Sequence, residues 1–141
     1  MKIALLGNPN CGKSSLFNHL TGLRQKIGNF PGVTVDKKIG TAKLPGGTTV
    51  EVLDLPGTYS IYPNSQDEQV VLSVLTNPAD KDFPDLVVVV VDASNLKRNL
   101  LLFSQVRDLG IPTVLALNMI DVAETEGYVI NSIKLARELN V

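Results

Sequence analysis

Hydrophobic and polar residues follow one another in blocks along the chain, and the spacing of the apolar positions changes from block to block. The run KIALLG (2–7) is almost continuously apolar and predicts a buried strand. A helix is predicted to follow and to end before Gly22, with apolar residues at Leu16, Phe17 and Leu20. The polar segment GNPNCGKSS (7–15) joins this strand to this helix. The next segment, RQKIGNFPGVTV (24–35), has no apolar period and is predicted to be a loop.

Two more strands and a second helix are predicted in the middle of the chain. KKIGTAKL (37–44) and TTVEVLDL (48–55) flank the turn residues PGG, which is typical of an antiparallel pair. The helix over 66–76 begins with a capping box, because Ser65 is followed three residues later by Glu68.

The last third of the chain continues the alternation of strands and helices. The valine-rich run 86–91 predicts a fully buried strand, and PTVLALN (112–118) predicts another. Between them a helix ending before Gly110 is predicted from apolar residues at Leu96, Leu100, Phe103, Val106 and Leu109. NSIKLAREL (131–139) predicts a final amphipathic helix whose inward residues are Ile133, Ala136 and Leu139.

Strands that alternate with helices and are apolar enough to be covered on both faces predict an open α/β sheet, mostly parallel with one antiparallel edge strand. In such sheets ligands bind beyond the carboxyl ends of the strands. The unusual polar residues of this chain follow predicted strands: Gly7, Asp54, Asp92 and Asn118.

Composition and charge narrow the class of protein. The 141 residues, 44% of them hydrophobic and 19% charged, predict one globular domain spanning 1–141. No apolar run approaches the length of a membrane span, and the N-terminus does not resemble a signal peptide. A net charge of -1, with 13 Lys and Arg scattered among 14 acids, predicts no nucleic-acid partner. The single cysteine, Cys11, excludes an internal disulfide and favours a reducing cytoplasmic compartment.

The loop after the first strand matches the pattern G-x-x-x-x-G-K-[ST] at Gly7, Gly12, Lys13 and Ser14. Such a loop wraps its backbone N–H groups around a phosphate at a helix N-terminus, where unpaired amides and the helix dipole favour an anion. We expect Lys13 to contact the β- and γ-phosphates and the Ser14 hydroxyl to ligate Mg²⁺. The other predicted nucleotide contacts of the loop are Asn8, Pro9, Asn10, Cys11 and Ser15. The alternative interpretation is a glycine-rich turn with an exposed lysine.

Two further motifs follow predicted strands. In DLPG (54–57), Asp54 is expected to hold Mg²⁺ through water and Gly57 to offer its N–H to the γ-phosphate, with Leu55 and Pro56 between them. In NMID (118–121), Asp121 can accept two hydrogen bonds from the N1–H and the amine of guanine, a pair that adenine does not present. Asn118 and Met119 are predicted to contact the nucleotide beside it. Either motif alone would be an ordinary turn or cap.

The loop GNFPGVTV (28–35) supplies one more hydroxyl. Thr34 is placed to complete the Mg²⁺ coordination when a γ-phosphate is present, and Gly32 and Val33 precede it in the same predicted nucleotide-contacting loop. Loops of this kind become ordered through γ-phosphate and metal contacts and are released on hydrolysis.

Together these motifs resemble the P-loop GTPases of the translation-factor class. The stretches GNPNCGKSSLFNHLTG, GNFPGVTV, DLPGTYS, VVDASNLKRNL and ALNMIDVA are similar to the cytoplasmic N-terminal G domains of the ferrous iron transport protein B (FeoB) family. The resemblance runs from Lys2 to about Ala123. It implies a three-layer, Ras-like G domain that binds GTP or GDP with Mg²⁺ and hydrolyses GTP slowly. It also implies a helical spacer and a membrane permease for Fe²⁺ in the full-length protein, with this domain at the cytoplasmic face of the bacterial inner membrane. A homo-oligomer is compatible with the resemblance but is not required by it.

The resemblance also marks two departures. Met119 stands where many related GTPases have a lysine, a trait that FeoB-like members share. The chain ends at LARELNV (135–141), where the family continues into a sixth strand and a small guanine-contacting loop, so the resemblance implies a domain incomplete at its C-terminus.

The expected hydrolytic residues also follow from the resemblance. Thr58 occupies the place of the water-positioning glutamine of Ras-like GTPases. Asn10 occupies the place where a subset of these GTPases binds K⁺ against the phosphates, which implies K⁺-stimulated hydrolysis. The residues expected closest to the chemistry are Asn10, Lys13, Ser14, Thr34 and Gly57, and the expected metal contacts are Ser14, Thr34 and Asp54 for Mg²⁺ and Asn10 for K⁺.

Three other interpretations stay open from the sequence. The domain could be a binding module in which hydrolysis serves only as a timer for the shape of its loops. It could be a ribosome- or tRNA-associated GTPase, against which the acidic pI of about 5.7 argues. It could be an ATP-dependent P-loop enzyme, against which NMID argues.

Overall fold

The computed structural model describes all 141 residues. Its centre is a six-stranded sheet in the order β2-β3-β4-β1-β5-β6. The strands are β1 Lys2–Gly7, β2 Gln25–Asn29, β3 Asp36–Lys43, β4 Thr49–Asp54, β5 Leu86–Asp92 and β6 Thr113–Asn118. β1, β4, β5 and β6 are parallel, so the carboxyl ends of these four strands meet at one edge of the sheet.

Five helices cover the sheet. They are α1 Lys13–Thr21, α2 Gln66–Thr76, α3 Leu96–Asp108, α4 Ile120–Thr125 and α5 Ser132–Leu139, with a 3-10 turn at Ala93–Asn95 before α3. α1 packs on one face, where Phe17 lies in a cluster with Ile3, Leu5, Val50 and Val52. α2 and α3 pack on the other face, over the larger cluster that includes Leu53, Val89 and Phe103. The predicted three-layer α/β fold is confirmed. None of the helices is both long and apolar enough to cross a membrane.

One strand was missed, because the segment predicted to be a loop contains β2. The structure therefore has six strands where five were predicted, and the further strand implied by the resemblance would be a seventh. All five β2 residues are exposed, so the strand has no buried face and no alternating apolar pattern. Backbone pairing with β3 holds it, from Gln25 opposite Gly40 to Asn29 opposite Asp36. β3 is the antiparallel strand, as predicted, but β2 covers it, so β3 is not at the edge.

Two helix faces differ from prediction. Leu20 is 39% exposed, and the residue that α1 buries in its last turn is Thr21, whose hydroxyl donates to the Phe17 carbonyl at 2.9 Å. Ile133 is 74% exposed, while Ala136 and Leu139 are half-buried. α5 buries no residue fully, because it lies over β6 at the sheet edge and leaves an apolar groove of about 400 Å³ beside it. The short helix α4 was also missed.

The helix ends otherwise follow the sequence signals. Ser65 caps α2 by accepting a hydrogen bond from the Glu68 N–H at 3.2 Å. Glu68 reaches back to the Asn64 N–H at 2.7 Å, one residue earlier than a standard capping box. Gly22 ends α1 in a left-handed conformation.

Candidate functional site

The loop Gly7–Ser15 leaves β1 at the edge where the parallel strands end, and α1 begins within it. Its shape depends on two residues with left-handed backbone conformations, Asn10 with φ 64° and Gly12 with φ 86°. Asparagine and glycine are the residues that tolerate this conformation best. The Cys11 N–H donates to the Asn8 carbonyl at 3.3 Å and closes the turn.

Close packing explains both motif glycines. A Cβ on Gly7 would lie 2.6 Å from the Val90 carbonyl oxygen, inside the neighbouring strand β5. A Cβ on Gly12 would lie 2.1 Å from Nδ2 of Asn118. The loop therefore has no room for a side chain at either position.

Asn118 joins the third motif to the phosphate loop. Its Nδ2 donates to the Cys11 carbonyl at 2.9 Å, across 107 residues of sequence. Sequence reasoning predicted a nucleotide contact for Asn118 and did not anticipate this support of the loop. The bond fixes the end of β6 against the start of α1.

The loop surrounds a polar pocket of about 380 Å³ with no hydrophobic lining residue. It is lined by Asn8, Pro9, Asn10, Gly12, Lys13, Ser14, Ser15 and Gly57. The N-terminus of α1 opens into it, and no acidic side chain caps the first turn of that helix. The pocket is therefore suited to an anion, which the unpaired amides and the helix dipole would attract.

A second pocket of about 230 Å³ adjoins the first and shares Lys13, Ser14 and Gly57 with it. It adds the predicted residues Asp54, Leu55 and Pro56, and three that sequence reasoning missed: Asp36, Lys38 and Asp67. The first two belong to the start of β3 and the third to the first turn of α2. Only the fold brings them beside Asp54.

Lys13 and Asp54 form a buried ion pair between these two pockets. The Nζ of Lys13 donates to Oδ1 of Asp54, and the two side chains are 10% and 7% exposed. The pair joins the first and second motifs directly. A phosphate group entering the first pocket would compete with Asp54 for the lysine.

The oxygen donors beside this pair fit a magnesium ion. The Ser14 hydroxyl and the Asp54 carboxylate line the same pocket, and both are hard ligands of the kind that Mg²⁺ prefers. No group of three or more His, Cys, Asp or Glu side chains is placed to hold a metal. Such a sparse donor set suits Mg²⁺, which is commonly held by one or two protein ligands together with substrate phosphates.

The predicted residues Gly32, Val33 and Thr34 line neither pocket. Thr34 is exposed, while its neighbours Phe30 and Val35 are buried in the larger core cluster. The Phe30 N–H donates to the Val35 carbonyl at 3.0 Å and holds the turn closed. The structure therefore does not bring Thr34 to Ser14 and Asp54, and its metal contact stays a prediction.

The segment after Gly57 is tied to α2 and α3. Thr58 is 1% exposed, and its hydroxyl shares its single proton between the Ser60 carbonyl oxygen at 2.6 Å and Oε1 of Glu68 at 3.1 Å. Oε1 of Gln105 in α3 accepts from the Ser60 hydroxyl at 3.0 Å and from the Ile61 N–H at 3.1 Å. The capping box pointed to Glu68 in the sequence, whereas no sequence signal pointed to Gln105.

The predicted guanine motif lies at the other side of the phosphate loop. Met119 has a left-handed backbone, φ 56°, and precedes α4, with its Cε 3.9 Å from the position of a Cβ on Gly12. Asp121 lies in the first turn of α4, is exposed, and its carboxylate accepts no hydrogen bond within the protein. Its acceptors are therefore available to a ligand.

Two further side chains of the loop are buried. Burial raises the pKa of the Cys11 thiol from its ordinary value, against the smaller lowering effect of the Lys13 N–H and charge. The thiol is therefore neutral and protonated in the folded protein at neutral pH. Neither polar atom of the Asn8 side chain has a hydrogen-bond partner within the protein.

The sheet order, the phosphate loop after β1 and the motifs at the ends of β4 and β6 define a P-loop GTPase fold. The chain belongs to the FeoB_N family, Ferrous iron transport protein B, whose model matches residues 1–141.

Individual relatives agree with this membership. The chain is 48% identical over 135 residues to the Fe(2+) transporter FeoB of Legionella pneumophila (strain Lens), an alignment that covers 93% of this chain and 17% of that protein. A crystal structure of an S. thermophilus NFeoB point mutant bound to GDP is 46% identical, with a TM-score of 0.90, over 100% of this chain and 53% of that one. The cytosolic domain of L. pneumophila FeoB is 48% identical, with a TM-score of 0.87, over 97% of this chain and 53% of that one.

The chain spans 15% and 17% of the length of the first two curated relatives that it matches. Family membership does not favour the alternative of a ribosome- or tRNA-associated GTPase.

Proposed function

We propose that this chain binds GTP and GDP with Mg²⁺ and hydrolyses GTP, as the nucleotide-dependent part of a ferrous iron transporter. The observation that carries the proposal is the closed phosphate loop: Asn118 from the third motif donates to the Cys11 carbonyl, and Gly12, Lys13, Ser14 and Ser15 at the start of α1 line a polar pocket. GDP is bound by the similar S. thermophilus protein. A glycine-rich turn with a free lysine would not need these contacts.

Lys13 has two alternative partners in this proposal. In the structure its charge is neutralised by Asp54. With nucleotide it turns to the β- and γ-phosphates, and Asp54 becomes free to accept hydrogen bonds from metal-bound water. Ser14 and Asp54 would hold Mg²⁺, with Thr34 joining when its loop closes. The ion would neutralise phosphate charge as it develops.

Guanine specificity is assigned to Asp121, whose free carboxylate can accept from the N1–H and the amine of the base. A site built on unpaired acceptors rejects a base that leaves them empty. Met119 would cover the base edge with an uncharged side chain, and Asn118 would keep its hold on the phosphate loop.

The test of this assignment is calorimetric titration with GDP, a GTP analogue and ATP. We expect binding of both guanine nucleotides and no measurable binding of ATP. Asp121→Ala should lower the affinity for guanine nucleotides by at least about tenfold, because a bidentate charged contact is worth about 1.5 to 3 kcal/mol. Glu124→Ala, one turn further along the same region, is the matched control. Equal affinities for ATP and GTP would overturn the guanine assignment.

Hydrolysis is proposed to depend on charge placed around the phosphates and not on a water-positioning side chain. The Thr58 hydroxyl is engaged with Ser60 and Glu68, so it is not free to orient water. Lys13, the Gly57 N–H and the loop amides would stabilise the negative charge on the phosphates in the transition state of hydrolysis. Asn10 lines the pocket and its side chain makes no hydrogen bond within the protein, so its carbonyl oxygen is free to contact K⁺ beside the phosphates.

The potassium proposal is tested by GTPase rates in matched KCl and NaCl. We expect faster hydrolysis in KCl for the wild-type chain and equal rates in both salts for Asn10→Ala. Asn18→Ala, an exposed asparagine on α1, is the control and should keep the potassium effect. A wild-type rate that does not distinguish the two salts would refute the role of Asn10.

The larger protein is also part of the proposal. By its relatives, this chain would be the cytoplasmic domain of an Fe²⁺ transporter at the bacterial inner membrane, attached to a helical spacer and a permease. The loop carrying Thr34 and the segment after Gly57 would pass the nucleotide state to those parts. If Fe²⁺ transport follows GTP turnover, the domain acts as an enzyme; if transport follows the GTP-bound state, the domain is a binding module in which hydrolysis is a timer. A full-length transporter with the hydrolysis-deficient substitution Asn10→Ala would distinguish the two.

A further inference from the structure

The charges of this chain are segregated, although the sequence pattern was interpreted as scattered. Residues 1–50 contain seven of the 13 Lys and Arg and only one of the 14 acids, Asp36. The net charge of this part is therefore +6, against -7 for the remainder. In the fold, Lys2, Lys13 and Lys37 are neutralised by acids of the remainder. The cations of residues 1–50 without a salt bridge are Arg24, Lys26, Lys38 and Lys43. Clustered unpaired cations indicate a surface that meets a polyanion or an anionic membrane.

Three of these cations lie together at one end of the sheet. Arg24 and Lys26 flank the start of β2, and Lys43 ends the neighbouring strand β3. All three are exposed, and none forms a salt bridge. The nearest acid along this edge is Glu51, which lines a groove with Arg24 and Lys26 but is paired with Lys2 at 3.4 Å.

Exposed apolar side chains lie at the same end of the molecule, where Ile27 is on the α1 face of the sheet and the neighbouring Lys26 is on the opposite face. Leu20 at the end of α1 is 39% exposed, Leu23 in the turn is 68% exposed and Ile27 in β2 is 66% exposed. Leu23 also has a left-handed backbone, with φ 62°. Leucine rarely adopts this conformation, and strained residues of this type are concentrated at functional positions. The turn closes the end of α1, because the Leu23 N–H donates to the Asn18 carbonyl at 3.3 Å, yet the leucine side chain stays in contact with water.

This surface lies opposite the nucleotide site. β2 and β4 both pair antiparallel with β3, so β2 runs in the same direction as the parallel strands. Arg24 and Lys26 are thus at the amino ends of the strands, whereas the phosphate loop follows the carboxyl end of β1. Changes on this surface should leave the nucleotide pocket intact.

We propose that the surface formed by Leu20, Leu23, Arg24, Lys26, Ile27 and Lys43, here called the basic pole, docks on an anionic lipid bilayer. Charge complementarity selects this occupant, because three unpaired cations and three exposed apolar side chains lie at this end of the molecule and the chain has no acid before Asp36. Cations pair with anionic headgroups while apolar side chains enter the boundary between headgroups and acyl chains. The proposal goes beyond the GTPase activity and does not depend on it.

The test is co-sedimentation of the 141-residue chain with vesicles of phosphatidylglycerol and phosphatidylcholine, and with vesicles of phosphatidylcholine alone. We expect binding to the anionic vesicles that weakens at high salt, and no binding to the neutral ones. Arg24→Gln/Lys26→Gln should weaken binding by about 25-fold, since each cation near an anionic surface is worth about fivefold. The matched control, Lys97→Gln/Lys134→Gln, removes two exposed cations elsewhere and should leave binding within about twofold.

Leu23→Gly tests the apolar part without endangering the fold. Glycine adopts the left-handed conformation freely, so the variant should be at least as stable as the wild-type chain. We expect it to bind anionic vesicles about tenfold more weakly, because a leucine side chain no longer leaves water. GDP affinity, measured in parallel, should not change in any of these variants.

Four results would overturn the proposal: no binding to anionic vesicles, equal binding to neutral vesicles, equal loss in both glutamine pairs, or unchanged binding by Leu23→Gly. Binding to an acidic polypeptide such as polyglutamate, without binding to vesicles, would assign the basic pole to a protein partner instead. Vesicle binding by a chain that fails to bind GDP would contradict the proposed function alone.

Discussion

Four non-glycine residues have left-handed backbone conformations, and two of them, Asn10 and Met119, lie in the candidate nucleotide site. Asparagine reaches this conformation at little cost because its short polar side chain can bond locally. For a methionine the conformation costs about 1 to 2 kcal/mol. Met119 keeps it because Asn118, immediately before, is fixed to the Cys11 carbonyl and α4 begins immediately after. The strain is therefore part of how the guanine motif is held beside the phosphate loop.

Cys11 shows how burial decides the chemistry of a single residue. Its position beside Lys13 and before α1 would by itself lower the pKa of a thiol. The structure buries the side chain to 1% exposure, and desolvation raises the pKa instead. The sequence showed the neighbouring lysine but not the burial, which comes from packing beneath Gly7.

We therefore predict that Cys11 reacts slowly with iodoacetamide at neutral pH in the folded chain, and rapidly in urea. The raised pKa also makes stability depend on pH. Below the ordinary thiol pKa of about 8.5, Cys11 is protonated in both the folded and the unfolded chain, and its contribution to the free energy of unfolding is constant. Above that pH the thiol ionises in the unfolded chain before it does so in the folded chain, so the free energy of unfolding falls. Urea titrations on either side of that pH should show this fall in the wild-type chain and less of it in Cys11→Ala. Rapid labelling without urea would contradict the prediction.

Among the elements, those with a buried face could be predicted from the sequence and the others could not. The valines of β5 and the apolar face of α3 have the periods that burial imposes. β2 has no buried side chain, and α4 has a single buried residue, Ala123, so neither element shows a hydrophobic periodicity in the sequence. Ile133 has helical spacing, yet α5 lies at the sheet edge where nothing covers that side chain.

The segment after Gly57 is held by an element that the sequence pattern did not connect to it. Gln105 lies in α3 between the apolar positions Phe103 and Val106, so its spacing alone marked it as an ordinary partly exposed residue. In the structure its Oε1 accepts from both the Ser60 hydroxyl and the Ile61 N–H. α3 therefore restrains a segment that is proposed to respond to nucleotide.

We predict that Gln105→Ala speeds amide hydrogen exchange in residues 59–62 by about fivefold to 25-fold, since it removes two hydrogen bonds worth about 1 kcal/mol each. Mass spectrometry of exchanged peptides measures this directly. Gln105→Glu keeps an acceptor oxygen and is the matched control, so its exchange should stay near that of the wild-type chain. Unchanged exchange in Gln105→Ala, or equal acceleration in both variants, would show that Gln105 does not restrain the segment.

For the whole molecule, the sequence predicted which motifs meet in the candidate site but not the contacts between them. The motifs follow strands, and parallel strands end at one edge, so the meeting of Gly7, Asp54 and Asn118 follows from order along the chain. The bond from Asn118 to Cys11, and the approach of Asp36 and Asp67 to Asp54, depend on how the motifs pack together. The uneven distribution of charge along the chain could be predicted from the positions of the charged residues, whereas the ion pairs that neutralise Lys2, Lys13 and Lys37 could not.

The Lys13–Asp54 pair links the stability of the folded molecule to its proposed ligand. Removing one partner of a buried pair leaves a charge without compensation, so Asp54→Asn should lower the free energy of unfolding by about 3 kcal/mol in urea titrations. Lys13→Met/Asp54→Leu removes both charges and should cost less than Asp54→Asn alone. Because phosphate is the alternative partner of Lys13, saturating GDP should reduce the loss in Asp54→Asn. An equal loss with and without GDP would separate the ion pair from nucleotide binding, and a double variant costing the sum of its parts would show that the charges do not interact.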